Sequence, residues 1–169
     1  MPNWCFNYAT ISNSDKSKMD KLRKAIKAGK VLQSFFPTPK KLLEGEGWYM
    51  WRVGNWGTKW DLCDIETLHD DGETISLQFN TAWSPPTEAY QKLIEQGFWI
   101  DAYYSEAGMG FCGYFSQGVD DCYSLDSFTK EWIEANIPDS IIDACDLLAY
   151  CDQDDDMMET EGNNLSATA

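Results

Sequence analysis

Two amphipathic helix patterns, each flanked by strand patterns, constrain the fold of this 169-residue chain more than any other feature. Residues 4–12, WCFNYATIS, are rich in aromatic and β-branched side chains, which is typical of a β-strand. In the segment that follows, Met19, Leu22 and Ile26 recur at helical spacing and share one face. The sequence therefore predicts a strand over 4–12 and a helix over 14–28.

The second half of the pattern follows a long, less regular connection over residues 31–59, in which GEGWYMWRVGNWGTK (45–59) predicts a short helix or turn flanked by glycines. Apolar residues then alternate with polar ones on both sides of the sequence HDDG, which predicts a β-hairpin. A second helix is predicted over 86–96, with Ser84 as its N-cap. Another hairpin is predicted next, with its turn at Ala107-Gly108.

The order of these patterns is that of an α+β fold of the ferredoxin-like split βαβ type. We expect residues 1–118 to form an antiparallel sheet of four to five strands with two helices on one face. The sequences DSFTKEWIEAN and DSIIDACDLLAYC predict C-terminal acidic helices, an extension over 119–151 that packs on this domain. Residues 152–169 lack a core pattern, and we predict a disordered acidic and polar tail.

Charge is distributed unevenly along the chain, whose formal net charge is −15. Residues 1–60 hold 11 basic and 4 acidic side chains, whereas residues 61–169 hold 24 acidic and 2 basic ones. An acidic excess keeps a protein dispersed, and it also attracts partners with a basic surface. Duplex nucleic acid would be repelled by the acidic part, so only the basic first third could contact phosphate.

The partner-binding candidates are exposed acidic residues of the C-terminal part. They are Asp120, Asp121, Glu131, Glu134, Asp143 and Asp146. Asp126 and Asp139 are set apart from this group because they can cap the two predicted helices.

Tryptophans recur in NWGTKW (55–60) and TAWSPP (81–86), and two explanations are open. Trp56, Trp60 and Trp83 can be buried packing residues, which we favour, or an aromatic platform that stacks bases of single-stranded nucleic acid. The platform would act together with the basic first helix. The residues of this alternative nucleic-acid site are Lys16, Lys21, Arg23, Lys24, Lys27, Trp56, Lys59 and Trp60.

Four ordered motifs within residues 1–118 carry a resemblance to a known family. MPNWCFN at the start, NWGTKWD (55–61), FNTAWSPP (79–86) and YYSEAGMGFCGYF (103–115) resemble the YubB-type ferredoxin-like family of bacteriophages and conjugative plasmids. The resemblance implies a ferredoxin-like fold and a mobile-element source. The resemblance does not identify any catalytic residues.

The sequence contains only weak matches to known nucleotide-binding, metal-binding and catalytic motifs. GMGFCG (108–113) matches G-x-G-x-x-G but is followed by a strand pattern, so its glycines are read as turn and strand features. DQDDDMMETEGN (152–163) lacks the glycine and closing glutamate of a calcium loop. His69, the single histidine, is expected to be exposed at a hairpin turn. Six cysteines without C-x-x-C spacing are expected to be reduced and mostly buried.

We therefore expect neither an enzyme, nor a metal site, nor a cofactor. The leading hypothesis is a non-enzymatic phage or plasmid accessory protein that inhibits a host or defence protein with a basic surface, by an acidic surface that mimics nucleic acid. Direct nucleic-acid binding is disfavoured and is kept as the alternative. No signal peptide or membrane segment is recognised, so we expect a cytoplasmic protein of the host bacterial cell. The sequence does not indicate an oligomeric state.

Overall fold

One antiparallel sheet runs through the part of the chain that the computed structural model describes, residues 3–151. Its strands are β1 (Trp4–Ser12), β2 (Cys63–Asp70), β3 (Thr74–Ala82), β4 (Trp99–Glu106), β5 (Phe111–Ser116) and β6 (Val119–Ser124). They lie side by side in the order β2-β3-β1-β4-β5-β6. The fold is therefore ferredoxin-like α+β with six strands, one more than the largest predicted number.

Seven α-helices accompany the sheet in the described residues. They are α1 (Lys16–Lys27), α2 (Val31–Phe35), α3 (Lys40–Leu43), α4 (Gly47–Trp56), α5 (Thr87–Glu95), α6 (Lys130–Asn136) and α7 (Asp139–Cys145). A 3-10 turn, Leu147–Tyr150, follows α7. None of the helices between residues 3 and 151 has the length and apolar character that crossing a bilayer requires.

Helices α1 and α5 cover the first face of the sheet, as predicted. Asp15 caps α1 by accepting a hydrogen bond from the Ser17 backbone N–H at 2.9 Å. Met19 and Leu22 of α1 are buried with Leu93 of α5. The strands contribute further apolar side chains to this first core, namely Ala9, Ile11, Ile75, Leu77, Phe79, Ile100, Ala102 and Phe115.

Helices α6 and α7 cover the opposite, second face of the sheet. Helix α7 contacts β1, β4 and β5. The buried residues of this second core are Cys112, Leu125, Ile133, Ile137, Ile141, Ile142, Cys145 and Leu147. The sheet is thus sandwiched between two helical layers, with β5 contributing Phe115 to one core and Cys112 to the other.

The range 119–151 was predicted to be helical, but its first six residues form strand β6. Gln117 and Gly118 between β5 and β6 both have positive φ angles, 46° and 91°. Two such residues form the tight hairpin turn that suits the twist of the flanking strands. β6 therefore pairs with β5 from Ser116↔Val119 to Phe111↔Ser124 despite its polar composition.

Helices α2, α3 and α4 lie within the connection over residues 31–59. Of these, α4 agrees with the short helix or turn predicted for 45–59, whereas α2 and α3 were not predicted. Helix α4 ends at Gly57, whose φ of 84° suits the left-handed C-cap conformation. A Cβ at Gly57 would also lie 3.0 Å from the Pro85 carbonyl oxygen, so the two segments approach closely there. The predicted Ser84 cap of α5 is wrong, because the Ser84 hydroxyl donates to the Gly57 carbonyl instead.

The three tryptophans predicted to be buried have different environments. Trp56 is fully buried, and its indole N–H donates to the Phe36 carbonyl at 2.9 Å. Trp60 is half-buried, and Trp83 is 43% exposed. The packing explanation is therefore confirmed for Trp56 and wrong for Trp83. The predicted tail, residues 152–169, and its calcium-loop-like sequence lie outside the described residues.

Trp56 and Trp83 give a direct test of this distinction. We expect Trp56→Ala to lower the free energy of unfolding by about 3–5 kcal/mol, because it opens a cavity and leaves the Phe36 carbonyl without its donor. The exposed control, Trp83→Ala, should change it by about 0.5 kcal/mol or less. Urea denaturation followed by circular dichroism measures both. Equal losses for the two variants would contradict the assignment.

Candidate functional site

A layer of exposed carboxylates covers the outside of the second face. We call it the acidic layer, and it consists of Asp121, Asp126, Glu131, Glu134, Asp139, Asp143 and Asp146. Residues 119–151 as a whole carry eight acidic side chains and a single basic one, Lys130. The layer contains five of the six predicted partner-binding residues.

Helices α6 and α7 carry four of these carboxylates, Glu131, Glu134, Asp139 and Asp143, and hold them outward because the apolar sides of the helices are buried. In α7, Ile141, Ile142 and Cys145 face the second core. Asp139 and Asp143 are four residues apart, so both lie on the solvent side of that helix. Asp146 follows at the C-cap with a left-handed φ of 49°, a conformation that aspartate tolerates better than most residues.

Helix α6 repeats this arrangement over two turns. Ile133 is fully buried, whereas Glu131 and Glu134, three residues apart, are exposed. Glu134 lies 3.8 Å from the Lys130 ammonium, but both side chains are more than half exposed. Such a solvated pair stabilises the protein by less than about 1 kcal/mol and leaves Glu134 accessible.

Asp120 and Asp121 do not share a surface, contrary to the prediction. Asp120 lies opposite Phe115 and so belongs to the first face, whereas Asp121 lies opposite Tyr114 on the second. The Tyr104 hydroxyl donates to the Asp120 carboxylate at 2.6 Å. The Tyr104 side chain reaches it by crossing Gly113, where a Cβ would collide with the phenol oxygen.

Neither Asp126 nor Asp139 is a helix cap. The residue before α6 is Thr129 and the residue before α7 is Pro138, and neither N-terminus has a side-chain capping hydrogen bond. Asp139 instead occupies the first turn of α7, where the helix dipole favours a negative charge. Both carboxylates therefore belong to the exposed set that a partner could contact.

The basic face of α1 is only partly free. Arg23 donates two hydrogen bonds to Asp70 of β2, at 2.8 and 2.7 Å, and this guanidinium lowers the pKa of Asp70 to about 2. The Lys21 ammonium lies 4.2 Å from the centre of the Phe35 ring. Lys16, Lys21, Lys24 and Lys27 are exposed. The helix therefore offers four lysines to phosphate, whereas the fifth predicted basic residue, Arg23, is held by Asp70.

The tryptophan loop builds a separate surface where β1 begins and β3 ends. We call it the aromatic patch, and it consists of Trp4, Tyr49, Lys59, Trp60 and Trp83. The Lys59 ammonium lies 4.9 Å from the Trp60 ring centre and 5.5 Å from that of Tyr49. Trp4 and Trp60 pack with ring centres 6.0 Å apart.

Tyr49 and Trp4 were not among the predicted site residues. Tyr49 and Trp83 line the same cleft beside Lys59, which only the folding of α4 brings about. The exposed apolar residues Tyr49 and Met50 lie four and three residues before Val53 in α4, a helical spacing that could have been recognised in the sequence. Trp83 has a φ of 75°, a strained backbone conformation that residues with bulky side chains rarely adopt.

His69 is exposed, as expected, but it belongs to the end of β2 rather than to the turn. Its Nε2 lies 3.3 Å from a carboxylate oxygen of Asp71, and Asp71 itself accepts hydrogen bonds from the Glu73 and Thr74 backbones. The sequence GMGFCG runs from a turn into β5, which confirms the reading of its glycines. Between residues 3 and 151, no three His, Cys, Asp or Glu side chains are grouped to hold a metal ion.

Comparison with known proteins gives a partial match. Residues 56–139 match a family model described as the ferredoxin-like domain in Api92-like protein. This part of the chain is similar to that domain family. The match runs from the end of α4 to the first residue of α7, so it includes β6 and α6. The resemblance noted in the sequence is confirmed for the ferredoxin-like domain, whereas the phage and plasmid source stays a prediction.

One solved structure is similar over a limited region. The crystal structure of a protein api92 from Yersinia pseudotuberculosis shares 20% identity with the chain, with a TM-score of 0.45. The similarity covers 57% of this chain and 39% of the api92 chain. No curated protein matches the sequence.

The reactivity of the Cys122 thiol, compared with that of two buried cysteines, tests whether β6 is exposed to solvent. Burial raises the pKa of Cys112 to about 11 and that of Cys145 to about 12, whereas Cys122 of β6 is exposed. Because the thiolate is the reactive form, we expect iodoacetamide to modify Cys122 well before Cys112 and Cys145 at mildly alkaline pH. Peptide mass spectrometry over a time course measures the order. Modification of the two buried thiols as fast as Cys122 in the folded protein would contradict it.

Proposed function

We propose that the chain is a non-enzymatic accessory protein of a phage or plasmid, acting in the host cytoplasm. In this proposal the acidic layer binds a basic surface of a host or defence protein and blocks its access to nucleic acid. The observation that carries the proposal is the layer itself, which places exposed carboxylates on helices anchored by a buried core.

Anchoring matters because a partner then does not have to order the carboxylates on binding. Immobilising a long side chain or a loop costs binding free energy, and a charge presented on a packed helix avoids most of that cost. Ile133 fixes α6, and Ile141 and Ile142 fix α7. The acidic layer therefore differs from a flexible acidic segment of the same charge.

The charge density of the layer sets the kind of partner that it fits. One carboxylate per helical turn is spaced by about 5.4 Å along the axis, whereas one DNA strand carries a phosphate about every 3.4 Å. The layer is thus less densely charged than DNA. It suits a protein whose lysines and arginines are spread over a surface, and it would speed encounter with such a protein at low salt.

Charge reversal in the layer tests the proposal. We expect the triple variant Glu131→Lys, Glu134→Lys, Asp143→Lys to keep its fold, since exposed changes usually alter stability by about 0.5 kcal/mol each. Binding to the proteins that immobilised wild-type chain retains from a bacterial lysate should weaken roughly tenfold or more. Titration of a purified retained protein, at low and high salt, measures the effect.

The matched control carries the same charge change elsewhere. The control is a second triple variant, which replaces three exposed carboxylates outside the acidic layer with lysine. These are Glu66 of β2, Glu73 of the β2–β3 turn and Glu95 of α5. The control should bind nearly as well as the wild type if the layer is the contact surface. Equal weakening in both triple variants would show that only the total charge matters and would refute the proposal. Loss of binding on deletion of 152–169 alone would place the contact outside the described residues.

Single-stranded nucleic-acid binding by the aromatic patch is a second candidate. It is supported by the 43% exposure of Trp83 and by the left-handed backbone that holds this indole outward. Exposed indoles stack bases with little sequence preference, and Lys59 supplies a positive charge beside them. The contribution of α1 to such binding comes from its exposed lysines, Lys16, Lys21, Lys24 and Lys27.

Quenching of tryptophan fluorescence by an oligo-thymidine distinguishes this candidate. If the patch binds bases, Trp83→Ala should weaken binding by about 1–3 kcal/mol, the range for loss of one stacking side chain. Lys59→Gln should weaken it and reduce its salt dependence. Trp99→Ala is the control, because Trp99 is 56% exposed but lies outside the patch. No quenching by the oligonucleotide at low salt would exclude this candidate.

A further inference from the structure

The two edges of the sheet differ in how well a further strand could pair with them. β2, at one edge, has register shifts between Cys63 and Glu66 and between Thr67 and His69. Asp64 within it has a left-handed φ of 51°. Bulges of this kind twist an edge and prevent pairing with another chain.

β6, at the other edge, has none of these irregularities. Its six residues pair with β5 in an unbroken register from Val119 to Ser124. It is last in the strand order, and Val119 is 62% exposed. β6 is therefore a regular, accessible edge strand.

The hydrogen-bond register shows which backbone groups of β6 are free to pair. The Leu125 N–H donates to the Gly110 carbonyl at 2.7 Å, at the end of the β5–β6 ladder. Because antiparallel ladders alternate, Tyr123 and Asp121 direct their backbone groups toward β5. Cys122 and Asp120, between them, direct their N–H and C=O groups toward the open edge.

We propose that β6 is the docking edge for the basic partner, which adds an extended, lysine- or arginine-bearing segment as a seventh strand. This inference rests on the proposed function and specifies how the partner is held. Consecutive residues of an added strand point to opposite faces. Two adjacent basic residues would therefore meet Asp120 on the first face and Asp121 on the second, which accounts for the division of this acidic pair.

A second copy of the chain is the competing occupant, and charge argues against it. Two β6 strands paired edge to edge would bring Asp120 and Asp121 of both copies together. Like charges that face each other across strands are destabilising. A basic segment gains from the same carboxylates, so charge complementarity selects it over self-association.

The experiment uses a fluorescein-labelled peptide that repeats Val-Lys-Lys-Thr as the probe. Its control is the same peptide with every backbone amide N-methylated, which keeps the charges but cannot donate hydrogen bonds to an edge. We expect the wild-type chain to bind the unmethylated peptide at least about tenfold more tightly. Fluorescence anisotropy measures both affinities.

The matched protein variants are Cys122→Pro and Cys122→Ala. Proline removes the outward N–H at this position without removing a bond to β5, and proline is tolerated in edge strands. Both variants keep every carboxylate. Cys122→Ala should retain the preference for the unmethylated peptide, and Cys122→Pro should lose it. If thermal melting shows that Cys122→Pro does not fold, Ser124→Pro and Ser124→Ala replace the pair at another outward position.

Four outcomes would overturn the inference. Equal binding of the two peptides would show attraction by charge alone, and an equal preference for the unmethylated peptide in the proline and alanine variants would place its hydrogen bonds away from β6. Both outcomes leave the proposed function intact. A wild-type dimer that becomes monomeric in Cys122→Pro, measured by light scattering, would make a second copy the occupant. Absence of binding to either peptide at low salt would also reject strand addition, while charge reversal on α6 and α7 decides the proposed function separately.

Discussion

Burial of the second face of the sheet is the constraint on which the rest of the structure depends. Phe6, Tyr103 and Tyr114 line that face, and the two tyrosine rings pack with centres 4.6 Å apart. Helices α6 and α7 cover these aromatic residues, and their opposite sides then carry the carboxylates. In ferredoxin-like RNA-binding domains the corresponding sheet aromatics stack bases. Because α6 and α7 cover them here, the exposed indoles of the described residues lie elsewhere, in the aromatic patch and at Trp99.

Much of the sheet could be predicted because its strands and its two covering helices have strong local patterns. The predicted strand over 4–12 and helix over 14–28 agree with β1 and α1 of the structure, since both depend on residues adjacent in sequence. β6 was missed because its sequence, VDDCYS, has no apolar alternation. It becomes a strand through a turn of two positive-φ residues and through pairing with β5, a tertiary effect that residue patterns do not record.

The candidate site was predictable in composition but not in geometry. The acidic residues were identified correctly as exposed, because buried carboxylates are rare without partners. Their grouping was less accurate, because Asp120 and Asp121 are adjacent in strand β6 and therefore lie on opposite faces of the sheet. The tryptophans show the same limit. Trp56 and Trp83 occur in similar aromatic motifs, but the first ends a helix that faces the core and the second lies in a strained loop.

Charge and edge geometry together restrict which molecules this chain can contact. The bulges of β2 and the acidic pair on β6 both oppose pairing of the sheet with another copy of itself, so each edge is protected by a different means. Bulges hinder pairing with any incoming strand, whereas carboxylates repel acidic strands and attract basic ones. A protein that needed only to stay dispersed could protect both edges in the same way. The difference between the edges therefore favours a role for β6 in selecting a basic partner, with the acidic layer beside it extending the attractive surface.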